Sequence, residues 1–207
     1  MKKSIALILI ALLLLPLLAA CGQTGKTLPE GVQPMPPSIP GGPPVPPFLT
    51  TQQQDLYLRA RYAMEAFQIT IGWGSDGSGA TVVVNGRTYV KANGEYTDYD
   101  TFYNDMRTLF TQDYLDNILL DNGYDPPVYI KYDGDLYYLP IPRTPNMYYT
   151  GPESFEAFVS TDTRIEFSLV AYYEDSTQNP AVYTVSRTIV MEKVDERWVF
   201  STFALPY

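Results

Sequence analysis

The chain reads as α+β, with amphipathic helices in its first half and a run of antiparallel strands in its second. Three observations predict this. Between Leu49 and Leu119 apolar residues recur every three or four positions, interrupted by a single Asn-Gly hairpin. From Val128 onward the period falls to two. The composition, 45% hydrophobic and 18% charged, belongs to a packed domain rather than a disordered chain. The expected arrangement is N-terminal helices packed on one curved antiparallel β-sheet.

The first residues carry an address rather than a fold. Lys2 and Lys3 precede sixteen uncharged residues, Ile5 to Ala20, broken only by Pro16. A membrane span needs about 20 apolar residues, so this stretch suits the apolar region of a signal peptide covering residues 1–20. It ends in Leu18-Ala19-Ala20-Cys21, and Cys21 is the only cysteine of the chain. That string resembles the lipobox of bacterial lipoproteins, which implies acylation of Cys21 and an extracytoplasmic protein held at the membrane by lipid alone. Each buried CH₂ of such an anchor contributes about 0.8 kcal/mol. Loss of Lys2 and Lys3 with the signal takes the formal charge from −9 to −11.

Residues 21–48 read as a linker. Pro29 to Pro47 holds nine of the 18 prolines. Such a run lacks the N–H groups that helix and sheet require, and extends as polyproline II at about 3.1 Å per residue. The folded part is expected over 49–207, as one domain.

Within it, Leu56, Ala60, Ala63, Met64, Phe67 and Ile71 share a helix face over Leu49–Ile71. Residues 72–79 are a Gly/Ser-rich breaker. Val82–Val84, Asn85-Gly86 and Thr88–Val90 form a hairpin, because both central residues tolerate positive φ. Thr97 or Asp98 caps a helix bearing Phe102, Met106, Leu109 and Phe110. A second helix through Tyr114, Leu115, Ile118 and Leu119 follows, stopped by Gly123, and the two form a bent pair. Val128–Tyr132 and Leu136–Leu139 flank an Asp133-Gly134 turn. Strands Phe155–Val159, Thr163–Tyr173, Val182–Lys193 and Trp198–Leu205 complete the sheet, with turns at Asn179-Pro180 and Asp195-Glu196. Ile165, Phe167, Leu169, Ala171 and Tyr173 lie on one strand face, opposite Arg164, Glu166 and Ser168.

The composition narrows the chemistry. The chain has no histidine, which excludes Ser-His-Asp triads, Cys-His dyads and His-ligated zinc. One cysteine leaves no internal disulfide and no Cys-rich metal cluster. The negative charge opposes phosphate, so nucleic acid is not an expected partner. Asp98, Asp100, Asp105, Asp113 and Asp116 sit where helix starts favour carboxylates. Asp121, Asn122 and Asp125 lack the spacing of an EF-hand. No catalytic residue, metal or cofactor is expected. Arg187 interrupts an apolar face, at a β-bulge or a tilted edge position, or else buried and paired.

Two features point to binding. There are 18 tyrosines, and Tyr129, Tyr132, Tyr137, Tyr138, Tyr148 and Tyr149 crowd one region. Tyrosine fills cores but also favours interfaces, so Tyr137, Tyr138, Tyr148 and Tyr149 form a candidate aromatic rim. Between them runs Pro140-Ile141-Pro142-Arg143-Thr144-Pro145-Asn146-Met147. Its three prolines stiffen it, so it would lose little entropy on docking. It is the candidate binding loop, or else a rigid connection.

The order of segments from Leu56 to the C-terminus resembles the IseA-type inhibitors of bacterial cell-wall DL-endopeptidases. The resemblance is carried by the amphipathic first helix, the hairpin Val82–Tyr89, the two-part helix from Thr101 to Thr111, Tyr129–Tyr137 and the closing strands. It implies a cystatin-like fold, a shape shared with NTF2-like proteins. It also implies inhibition: the loop after Leu136–Leu139 enters the cleft of an NlpC/P60-type Cys-His endopeptidase. Here that loop is Pro140–Met147, Pro-rich and bearing Arg143 where the family's is acidic. The alternative is an NTF2-like module that holds a small ligand or peptidoglycan fragment in a cone beneath the sheet, without a hydrolase target.

Overall fold

A computed structural model describes residues 43–70, 73–120, 127–141, 149–175, 177 and 182–206. The signal segment, Cys21 and most of the linker lie outside this set, as do Gly123, the Asp121–Asp125 cluster and Asn179-Pro180. Among the described residues the class is α+β, with three α-helices and antiparallel strands curled as a half-barrel.

Helix α1 (Thr51–Glu65) starts at Thr50, whose Oγ1 accepts the Gln53 N–H while Gln53 Oε1 accepts the Thr50 N–H. Its last part is not α-helical as the spacing predicts: Ala66–Thr70 is a π-helical segment. Ahead of α1, Val45 and Phe48 pack on the core, and Gln54 Nε2 donates to Pro46 O and Leu49 O. Chain that composition places in the linker thus belongs partly to the domain.

Strands β1 (Thr81–Val84) and β2 (Arg87–Lys91) form the expected hairpin, with Asn85 at φ 51° and Gly86 at φ 76°. Asp98 caps α2 (Tyr99–Arg107), accepting the Thr101 N–H at 2.7 Å. The helices part before α3 (Gln112–Leu120) because Leu109–Thr111 leave the helix to bond strand-like with Phe200, at 2.8 and 2.9 Å. This explains the bend. Strands β3 (Tyr129–Tyr132) and β4 (Asp135–Tyr138) turn at Asp133-Gly134, both with positive φ.

The four long strands are β5 (Tyr149–Ser160), β6 (Arg164–Glu174), β7 (Val182–Val194) and β8 (Arg197–Thr202). Hydrogen bonding divides the strands into two sheets rather than one, ordered β1-β2-β4-β3 and β5-β6-β7-β8. The break falls between β4 and β5: β4 is already paired on both sides, and among the described residues β5 pairs with β6 alone. One core nevertheless joins them. Phe67, Phe102, Phe167 and Phe200 are buried in a cluster that draws on the helices and both sheets.

The face predicted for Ile165, Phe167, Leu169, Ala171 and Tyr173 is buried throughout. The edges differ. β5 carries Pro152, two register shifts and two glutamates, which discourage further pairing. β7 keeps unbroken register with β6 from Val182 to Glu192, whereas β8 joins it only from Val190. Arg187 therefore lies at an exposed edge and not at a bulge. Arg187→Met is expected to change stability by no more than about 0.5 kcal/mol, read as an unaltered melting temperature.

Candidate functional site

Of the candidate loop, Pro140 and Ile141 are described; Pro142, Arg143, Thr144, Pro145, Asn146, Met147 and Tyr148 lie outside the described residues. The loop's base is well anchored. Leu139 N–H donates to Val128 O and Ile141 N–H to Leu139 O, both at 2.8 Å. Ile141 packs against both hydrophobic clusters. On the far side, Tyr149 pairs with Tyr173.

Two of the four candidates for the aromatic rim are buried in the structure. Tyr137 and Tyr138 are 6% and 5% exposed, because β4 is a central strand covered on both faces. Leu136 and Tyr138 enter the main core, while Tyr137 and Leu139 join Tyr89 in a second cluster. Tyr149 is placed by its backbone alone.

Three of the carboxylates at α2 and α3 serve structure. Asp98 is a cap, Asp100 pairs with Lys131, and Asp116 accepts the Tyr103 hydroxyl at 2.6 Å. Among the described residues, no group of three or more Asp, Glu, His or Cys could hold a metal ion. No described helix is long and apolar enough to cross a membrane.

An open groove instead follows the outer side of α1. Its first half is a cleft of about 330 Å³ between α1, the turn at Trp73, the Glu95-Tyr96 loop and α2. Tyr62 donates to Glu95 Oε2 at 2.9 Å and Tyr96 to Asp105 Oδ2 at 3.0 Å. Burial and then the Asp105 bond raise the Tyr96 pKa; for Tyr62 the bond to Glu95 is the larger cause of a rise. Leu58, Ala63, Met106 and Leu109 supply the apolar surface.

Trp73 builds the wall. It is a bulky residue at φ 52°, a strained backbone held by packing. Its ring meets Tyr62, Phe67, Tyr96 and Phe102 edge-on, with centroids 5.2–6.0 Å apart. Asn93 clamps the turn, donating from Nδ2 to Asp76 Oδ1 at 2.7 Å and to Ser78 Oγ at 3.1 Å. The Asn93 bond, and after it hydrogen bonds from Ser78, draw the Asp76 pKa down to about 2. Gly94 lets the two loops touch: a Cβ there would stand 2.1 Å from Trp73 O. Gly94→Ala is expected to cost about 1–3 kcal/mol by overpacking and to shift Trp73 fluorescence, both measurable in a urea titration.

The groove's second half, about 450 Å³, begins at Arg59, which lines both halves and donates from Nη2 to Thr108 Oγ1 of the second half at 3.2 Å. It is bordered further on by Lys193, Glu196, Arg197 and Trp198. Nothing local in the sequence announces this groove, since its walls come from segments far apart. The one available signal was a tryptophan inside a Gly/Ser turn, where solvent alone would not hold it.

Beneath the groove, Arg61 forms a bidentate pair with Glu153 of β5, at 2.6 and 2.8 Å. The Arg61 side chain is 5% exposed and that of Glu153 is fully buried. Arg61 Nε also reaches Glu65 at 3.2 Å. The Tyr57 hydroxyl lies 3.4 Å from Arg61 Nη1, and burial raises its pKa.

No protein-family model matches the chain, and no curated protein matches it.

Proposed function

We propose that the chain is an extracytoplasmic, lipid-anchored binding protein that restrains a cell-wall DL-endopeptidase of the NlpC/P60 type. The connection Pro140–Met147 enters the enzyme's cleft and blocks it. The observation that carries this reading is the anchorage of the connection. Its base is hydrogen-bonded at Leu139 and Ile141, packed into two hydrophobic clusters at Ile141, and tied to the second sheet at Tyr149. A wedge must keep its shape against a cleft, and a stiff base spares it the entropy of ordering. The acidic surface would speed encounter with a basic enzyme. Acylation of Cys21 and the proline run hold the domain outside the membrane, within reach of the wall.

Full-length protein in detergent is expected to slow peptide release by a purified NlpC/P60 enzyme. Exchange of Pro140–Met147 for a Gly/Ser segment of equal length should remove the effect. Inhibition that survives the exchange would move the site elsewhere, and no slowing by the native chain would end the reading.

The second reading, a ligand-binding module, is favoured by the groove along α1 rather than by a cone beneath the sheet. The space beneath the sheet is filled by Phe67, Phe102, Phe167 and Phe200, each no more than 1% exposed.

A further inference from the structure

The groove along α1 is polarised. At one end Glu95 and Asp105 each accept a tyrosyl hydroxyl, and neither is paired with a cation among the described residues. Both carboxylates line the same cleft, so their negative charge is concentrated in one place. The rings of Tyr62, Trp73 and Tyr96 converge there; Trp73 is itself buried, so the exposed Tyr62 and the half-buried Tyr96 carry the ring surface that an ammonium group can meet.

At the other end the balance reverses. Arg59, which lines both halves at their junction, and Arg197 of the second half have no carboxylate partner among the described residues, and Lys193 is paired with Glu196 at 2.9 Å. Asp55 is the remaining acid on that lining. In a chain of net charge −9, two unpaired arginines bordering one groove form a place for an anion. From Gln52 to Tyr62 the helix side of the groove runs about 15 Å at 1.5 Å per residue. That is room for about four residues of extended peptide.

We propose that this groove binds a short zwitterionic peptide, its side-chain ammonium between Glu95 and Asp105 and its terminal carboxylate on Arg59 and Arg197. The apolar stem of the ammonium-bearing side chain lies on Leu58, Ala63 and Met106, under Tyr62. Recognition is by charge at both ends and by rings at one, so an uncharged ligand of the same size lacks the features the groove selects. The inference is independent of endopeptidase inhibition, since neither Pro140 nor Ile141 lines the groove.

Both tryptophans of the chain line the groove, Trp73 in the first half and Trp198 in the second, so intrinsic fluorescence reports on it directly. The probe is Nα-acetyl-Lys-Ala-Ala with a free carboxylate, titrated into full-length protein in detergent. Two analogues accompany it, one acetylated on the lysine Nε and one amidated at the C-terminus.

Saturable binding of the probe is expected, weakened about tenfold or more in either analogue, the loss expected for one charged hydrogen bond. Glu95→Gln with Asp105→Asn should reduce the native probe's affinity to that of the Nε-acetylated analogue. Arg59→Gln should do the same for the C-terminal amide. These side chains are exposed or at the surface, and an unchanged melting temperature confirms that each variant is folded. Absence of binding at millimolar probe, equal binding of the neutral analogues, or indifference to the substitutions would each overturn the proposal.

Discussion

Glu153→Ala is expected to lower stability by about 3–5 kcal/mol. The substitution leaves the Arg61 guanidinium 5% exposed without the bidentate partner that offsets its desolvation. Glu65, whose own side chain is 37% exposed, remains on Nε and is too well solvated to replace it. The pair joins α1 to β5 across 92 positions of sequence, so its loss should also loosen the seat of the helix that forms one side of the groove. Replacing both members, Arg61→Met with Glu153→Leu, removes charge and countercharge together and should recover most of the loss. Urea denaturation of the two single variants and the double variant measures the coupling. A loss under about 1 kcal/mol for Glu153→Ala would mean that water reaches the guanidinium.

Phe102→Ala should also cost about 3–5 kcal/mol, with a local consequence that Glu153→Ala lacks. Phe102 is fully buried and its ring touches those of Phe67, Trp73, Tyr96 and Tyr129, with centroids 5.3–6.1 Å apart. Its removal opens a hole directly behind the strained Trp73. The tryptophan can then relax from its positive φ, and the cleft wall should move with it. The expected result is a cooperative but earlier unfolding transition, together with a native-state change in Trp73 emission measured in a Trp198→Phe background. Destabilisation without that change would show that Asn93 and Gly94 fix the wall on their own.

The elements that could be read in the sequence are those decided by neighbours along the chain. Asn85-Gly86 and Asp133-Gly134 need positive φ whatever surrounds them, and Asp98 caps α2 through an N–H three residues away. Alternation from Ile165 to Tyr173 names the buried face because a strand has only two. What could not be read depends on residues brought together from afar. Arg61 stands among polar residues on α1 and looks solvated, yet β5 covers it and supplies its countercharge. Tyr137 and Tyr138 look like a rim until β2 and β3 close on β4 from either side. The break into two sheets has the same origin, since no local pattern says which edge β5 will join. The groove needs Tyr62, Trp73, Glu95 and Asp105 at once, drawn from four separate segments.

The uneven partnership of β7 has a dynamic consequence. Val190 to Glu192 are bonded on both sides, whereas Val182 to Ile189 have β6 on one side and no strand on the other among the described residues. Deuterium should therefore enter one strand at two very different speeds. The amides facing away from β6 near Val185 should exchange within the dead time of the measurement, and those near Met191 should wait for global opening. A single continuous strand would then carry a gradient of lifetimes, quick at the Val182 end and slow where it enters the core.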